Sequence, residues 1–330
     1  MIKPFHTPFF ICLVLLVTSC GTEGNKKQLS GSKETATESE EDKPKERLKF
    51  DDIIGIRYTE VKRRFSNNLS FNELGFQQEP SWIIEFQSQD TVLAYSPVKE
   101  RMLPFFLMYD HGDVYNFAKE FFRIKKISKD SLVFQRLHVE KKKIASDIKS
   151  DVNMTFYANS YIEKVLKTTA AQLQRPTRAD TAYIQDLTNK ANQEPGRANK
   201  AFAGRQPVKF TSTSPLLSVM KKSTVDKMNG RTEAFDYLFP KYRIVISKAY
   251  KDFAFEFKVV VDAQGKMHLT NVGYTGLTEP EAREKTIKAV IDVYLRNLMK
   301  TEPGTTLGIV HPSEITLVVV GRKSGTKASQ

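Results

Sequence analysis

Between Phe253 and Val261 the chain alternates strictly, with Phe253, Phe255, Phe257, Val259 and Val261 on one set of positions and Ala254, Glu256, Lys258 and Val260 on the other. A helix would scatter five such apolar groups around its circumference. An extended strand puts them all on one face, so this stretch commits the region to a sheet with an aromatic underside. Asp262-Ala263-Gln264-Gly265 supplies a turn whose glycine can take positive φ, and Met267 to Tyr274 is expected to return as the partner strand. Thr278 followed by Glu281, with Pro280 in the first turn, predicts a capped helix over about 279–300. Its spacing buries Ile287, Val290, Ile291, Tyr294 and Leu298 and exposes Lys285, Lys288, Asp292 and Arg296. Pro303-Gly304 and Gly308 break the chain, and 315–320 closes as a strand. The segment 234–322 is therefore expected to be a ββαβ unit, with 323–330 as a tail.

Upstream, short apolar runs over 55–65, 81–87, 91–96, 103–109, 121–127 and 131–139 are separated by turn signals such as Glu79-Pro80, Ser96-Pro97 and Asp110-His111-Gly112-Asp113. A further strand is expected over 151–158 and a helix over 161–173. Together these make 48–173 an antiparallel barrel or sandwich and the whole chain α+β. Between 174 and 233 the composition shifts to Arg, Asn, Gln, Gly and Pro, which reads as a connection carrying one short helix over 180–192.

The N-terminus has the order of an export signal. Lys3 supplies a positive start, 9–17 is an apolar run too short to span a bilayer, and Thr18-Ser19 lead into Cys20. The string Leu16-Val17-Thr18-Ser19-Cys20 resembles the lipobox of bacterial lipoproteins, with Val17 where leucine is commonest. That resemblance implies that 1–19 is a signal peptide and that Cys20 becomes the acylated N-terminus, a membrane anchor. Gly21 lacks the aspartate associated with inner-membrane retention, so the resemblance implies the outer membrane of a Gram-negative envelope. Cys12 would leave with the signal, and no disulfide or thiolate site would remain. Residues 20–47 carry the anchored cysteine and then Gly, Ser, Thr, Glu and Lys with hardly an apolar side chain, a composition that reads as a disordered tether reaching roughly 30 Å.

Two further resemblances concern the folded regions. Strand, hairpin, helix and strand with Glu302-Pro303-Gly304 and Gly308 just after the helix resembles the C-terminal domain of TonB-like proteins, which implies a shared fold rather than energy transduction. The pair of runs 122–127 and 132–137 around Lys129-Asp130 resembles the final hairpins of lipocalin-like lipoprotein domains, which would make the first region a cup for an apolar ligand.

Catalytic signatures are sparse. His111, His138, His268 and His311 fall on different elements, none at zinc-ligand spacing. Asp110, His111 and Asp113 form the one cluster of carboxylates and imidazole. They are candidate ligands for a divalent cation, but Asp and Gly are also what a tight turn selects, so no metal or other cofactor is expected. No Gly-x-Ser-x-Gly elbow, Walker loop or dinucleotide fingerprint occurs. The net charge of +13, with clusters at Lys62-Arg63-Arg64, Arg123-Lys125-Lys126, 141–143 and Lys221-Lys222, suits anionic lipid or acidic glycan, and export argues against nucleic acid. Three functions follow in order of preference. The first is a non-enzymatic envelope lipoprotein that binds another envelope protein through a sheet edge. The second is a carrier with a pocket lined by Trp82 and phenylalanines, and the third is a polysaccharide hydrolase with two facing carboxylates.

Overall fold

Alternating aromatic and β-branched residues drive strands β1 (Arg57–Arg64), β2 (Ile83–Ser88), β3 (Thr91–Ser96), β4 (Arg101–Phe106), β5 (Met108–His111), β6 (Val114–Phe117), β7 (Glu120–Ile127) and β8 (Ser131–Leu137). A two-stranded spur, β9 (Val139–Glu140) and β10 (Lys143–Ile144), precedes β11 (Val152–Ala158). The computed structural model describes residues 47–145, 149–273 and 279–323. Apart from the spur, these strands form one antiparallel sheet in the order β4-β3-β2-β1-β11-β8-β7-β6-β5. Its two edge strands, β4 and β5, are separated in the chain by Leu107 alone. Neighbouring Cα atoms lie about 3.8 Å apart, so the sheet must curl until its edges meet. β4 and β5 are two halves of one bent stave, which pairs with β3 through its first half and with β6 through its second. The strand expected over 103–109 spans that bend. Of the two expected architectures, barrel and sandwich, a nearly closed barrel is the one found.

The barrel is filled. Phe50, Tyr58, Phe86, Tyr115, Phe122, Phe134 and Phe156 are each at most 1 % exposed. Phe50 stacks on Phe86 and Phe117 on Phe122, both pairs at 4.7 Å, while Trp82 stands edge-on to Phe117 and Phe122 at 5.7 and 5.5 Å. Each such ring contributes about 1.5–3 kcal/mol on burial. Phe50 comes from a strap ahead of β1 that enters at the end carrying the β2–β3 turn. The Phe50 N–H donates to the Gln89 side-chain oxygen (3.1 Å) and the Leu48 N–H to the Tyr115 hydroxyl (2.9 Å).

The helix expected over 161–173 is divided into a π turn, Tyr161–Val165, and α1 (Ala170–Leu173), because Lys167 between them sits at φ 51° and cannot continue a helix. The segment 174–233 is more than a connection. Its helix α2 (Arg178–Gln193) begins with a capping box between Thr177 and Asp180. It packs Ile184 and Ala191 into a small core with Phe71 of the β1–β2 loop, Phe202, Leu307 and Ile309. Gly75 (φ 81°) allows the closest approach there. A Cβ on it would lie 2.4 Å from the Ala203 carbonyl oxygen, and the Ala203 N–H donates to Leu74 O at 3.0 Å.

The last third contains β12 (Lys209–Ser212), β13 (Leu217–Lys222), α3 (Phe235–Leu238), β14 (Lys241–Ser247), β15 (Phe253–Val261) and β16 (Met267–Asn271). α4 (Pro280–Val290) then continues through a π turn, Ile291–Leu295, into α5 (Arg296–Leu298), and β17 (Met299–Glu302), β18 (Thr305–Thr306), β19 (Ile309–Val310) and β20 (Ser313–Arg322) follow. The main sheet runs β13-β14-β20-β15-β16, with β14 and β20 parallel. The aromatic underside of β15 faces the helix as expected: Phe257, Val259 and Val261 meet Ile287, Val290 and Ile291, all buried. Leu295, one turn beyond Ile291 and fully buried, extends that stripe, while Tyr294 and Leu298 are half-buried. The four expected surface residues, Lys285, Lys288, Asp292 and Arg296, are exposed.

A separate ββαβ domain over 234–322 is not what the sheet forms. Tyr242, Ile244 and Ile246 of β14 alternate into the same core and give β20 a second neighbour. The sheet therefore has five strands and recruits 217–222, ahead of the expected start at 234. The helix starts at Pro280, with Glu279 at the cap position. The expected cap Thr278, the strand end Tyr274, the signal, Cys20 and the tether up to residue 46, and the tail from 324 lie outside the described residues. No described helix is long and apolar enough to cross a membrane.

Candidate functional site

The one cluster that suggested a metal lies in a tight turn. Asp110, His111 and Asp113 sit in the β5–β6 hairpin around Gly112 at φ 54°. His111 Nδ1 is 2.5 Å from the Asp110 carboxylate, but Asp113 accepts instead from Arg123 Nε at 3.3 Å. Among the described residues, no three His, Cys, Asp or Glu side chains converge as a metal site. His268 meets Asp262 at 2.7 Å across the β15–β16 turn.

His311 is a satisfied core histidine. Its Nδ1–H donates to Pro312 O (3.1 Å), its Nε2 accepts from the Thr306 hydroxyl (3.0 Å), and the ring stacks on Phe202 at 3.7 Å. Burial pushes its pKa down to about 4.

Much of the positive charge is spent on internal pairs. Arg63 holds the fully buried Glu60 through two bonds of 2.7 and 2.6 Å, and Glu60 also accepts the N–H groups of Ser81 and Trp82. Arg64 pairs with the buried Asp180 at 3.2 Å. Burial raises the Asp180 carboxyl, but the N–H groups of Ser70 and Thr177 and the Thr177 hydroxyl outweigh it and leave the pKa below the ordinary value. Both buried carboxylates serve the fold.

Two clefts flank the junction between barrel and sheet. One, of about 640 Å³, is lined by Arg63, Arg136, Arg205 and Tyr237, and each of these arginines is engaged by a carboxylate: Glu60, Glu120 and Glu79. The other, of about 480 Å³, has an apolar floor of Phe202, Phe235, Leu238 and Ile315. Glu256 and Glu314 on its rim are tied to Lys241 (2.8 Å) and Lys258 (3.0 Å). The second cleft runs into the edge of the sheet, because Thr224, on its wall, lies two residues beyond β13. The Thr224 N–H donates to Asp236 at 2.6 Å, which fastens the end of β13 to α3 and holds the Asp236 carboxyl below its usual pKa.

β13 pairs only with β14, and its other side is an open edge among the described residues. Ser247 N–H bonds Leu216 O, in register with the ladder, so the hydrogen-bonded positions are Ser218, Met220 and Lys222. The N–H and C=O groups of Val219 and Lys221 therefore point away from β14. Met220 is 56 % exposed on the outer face, next to Lys221 and Lys222, the charges that keep such edges from indiscriminate pairing. This edge was hidden inside the presumed connection, although Leu217 and Val219 alternating with Ser218 and Met220 are a strand signal. Trp82, by contrast, is half-buried and packs against the barrel core, edge-on to Phe117 and Phe122. No family model matches the chain, and no curated protein matches its sequence.

Proposed function

We propose that this chain is a non-enzymatic lipoprotein of the Gram-negative envelope, anchored through acyl chains on Cys20, that binds a protein partner by strand addition at β13. The filled barrel carries this choice. A carrier of the lipocalin type needs an interior cavity, and here stacked rings occupy that space. The hydrolase alternative needs two carboxylates facing a substrate, whereas Glu256 and Glu314 are each tied to a lysine.

Strand addition uses main-chain groups such as those of Val219 and Lys221, with side-chain pockets giving selectivity, and the adjoining cleft offers an apolar one. The five-stranded sheet to which β13 belongs would serve as the platform for such an extended segment.

Two measurements test it. Intact mass of the protein from its native host should show cleavage before Cys20 and acylation, and Cys20→Ser should move the protein from the membrane to the soluble fraction. Lys221→Pro removes an edge N–H that makes no ladder bond, so it should leave the melting temperature within a few degrees while abolishing retention of a cross-linked envelope partner. Retention that survives the proline would refute the edge as the docking site.

A further inference from the structure

Leu107, buried at the bend of the stave, forces its neighbours outward. Phe106 is 80 % and Met108 57 % exposed, and Pro104, one outward position earlier on β4, is exposed as well. Three apolar groups in sequence on an outer wall serve no packing purpose in the barrel, since Phe105 and Leu107 already supply the inward contacts. Their place in the fold singles out an occupant. The Leu107 N–H donates to Asp90 O at 2.8 Å, and the Asp90 carboxylate is paired with Arg47, whose guanidinium also lies over the Tyr109 ring at 6.0 Å. Arg47 is where the chain from Cys20 enters the barrel.

We propose that Phe106 and Met108, with Pro104, form the surface on which the barrel rests on the bilayer, inserting at the boundary between headgroups and acyl chains. The inference rests on the anchor reading. On that reading the tether expected over 20–47, with a reach of roughly 30 Å, would keep its point of entry close to the membrane, so even weak interfacial partitioning would become effectively intramolecular. A planar bilayer needs only a shallow apolar ridge of this kind, while a protein partner would call for a complementary pocket.

The test uses the processed, full-length lipoprotein. With Cys12 removed and Cys20 blocked by lipid, Phe106→Cys gives a single free thiol, and Val293→Cys, on the helix of the second sheet and 59 % exposed, gives the control. Met108→Cys replaces Phe106→Cys if circular dichroism shows the latter to be unfolded. Each is labelled with an environment-sensitive fluorophore and reconstituted into vesicles of phosphatidylethanolamine and phosphatidylglycerol. The label at 106 should be several-fold less quenched by iodide than the label at 293, and more quenched by acyl-chain nitroxides. Equal iodide quenching at the two positions in a chain whose mass confirms the lipid overturns the docking surface and leaves the anchor standing. Protection from both quenchers at 106 places protein there and also overturns it. A mass showing no lipid on Cys20 overturns the anchor reading, and the proposal with it.

Discussion

Protonating His311 would place a charge between Thr306, Pro312 and Phe202, where no side of the ring reaches water. Its pKa is about 4 in the fold against 6.5 in the unfolded chain, so the unfolded state binds the proton first as pH falls. The stabilisation is complete above pH 6.5 and is lost on descending to pH 4, to the extent of about 3 kcal/mol. Urea midpoints measured between pH 7 and pH 4.5 should fall accordingly, and His311→Gln should flatten that slope. Asp180 is depressed as well, so its contribution disappears only below the ordinary carboxylate range and separates cleanly from that of the histidine. Asp180→Asn should cost about 3 kcal/mol or more by leaving Arg64 buried without its counter-charge, read as a drop in urea midpoint. Neither role was legible beforehand. A histidine or aspartate declares its burial only through residues far away in sequence, here Phe202 and Arg64.

Elements were legible where local pattern and long-range packing agree. The alternation of β15 and the stripe on α4 specify their own faces, and the structure follows them. β13 and β14 carry their own alternation, Leu217 and Val219 in one and Tyr242, Ile244 and Ile246 in the other, but β13 is framed by Pro215 and the paired lysines and sits in a stretch whose composition reads as a connection. The barrel's closure depends on a single inward Leu107 inside what looks like one ordinary strand. A fragment covering 234–323 lacks β13, β12 and the buried Val208 and Leu217, so it should melt well below one covering 205–323. Ile287→Ala in the full chain should cost about 2–5 kcal/mol, whereas Lys288→Ala, on the opposite side and paired with Glu284, should cost less than 0.5 kcal/mol, roughly the worth of an exposed pair. Chemical denaturation of the two variants beside the parent chain, and thermal melts of the two fragments, distinguish these outcomes.

Across the whole molecule, the small core around α2 joins the barrel to the sheet, and Arg205 adds a second fastening, bonded to Gln77 and Glu79 and lying over Tyr237 at 4.4 Å. The described residues from Arg47 onward belong to one compact unit, so calorimetry should show one unfolding transition. Phe202→Ala removes a side chain that serves α2 and His311 together; it should cost about 3–5 kcal/mol and separate that transition into two. The strap carrying Phe50 has a mechanical consequence. Any load borne by the chain upstream of Arg47 reaches Phe50 in the barrel core and then β1, which is flanked on both sides, by β2 and β11. Pulling along β1 must slide two ladders at once rather than peel one, so the barrel is built to resist tension at its N-terminal end.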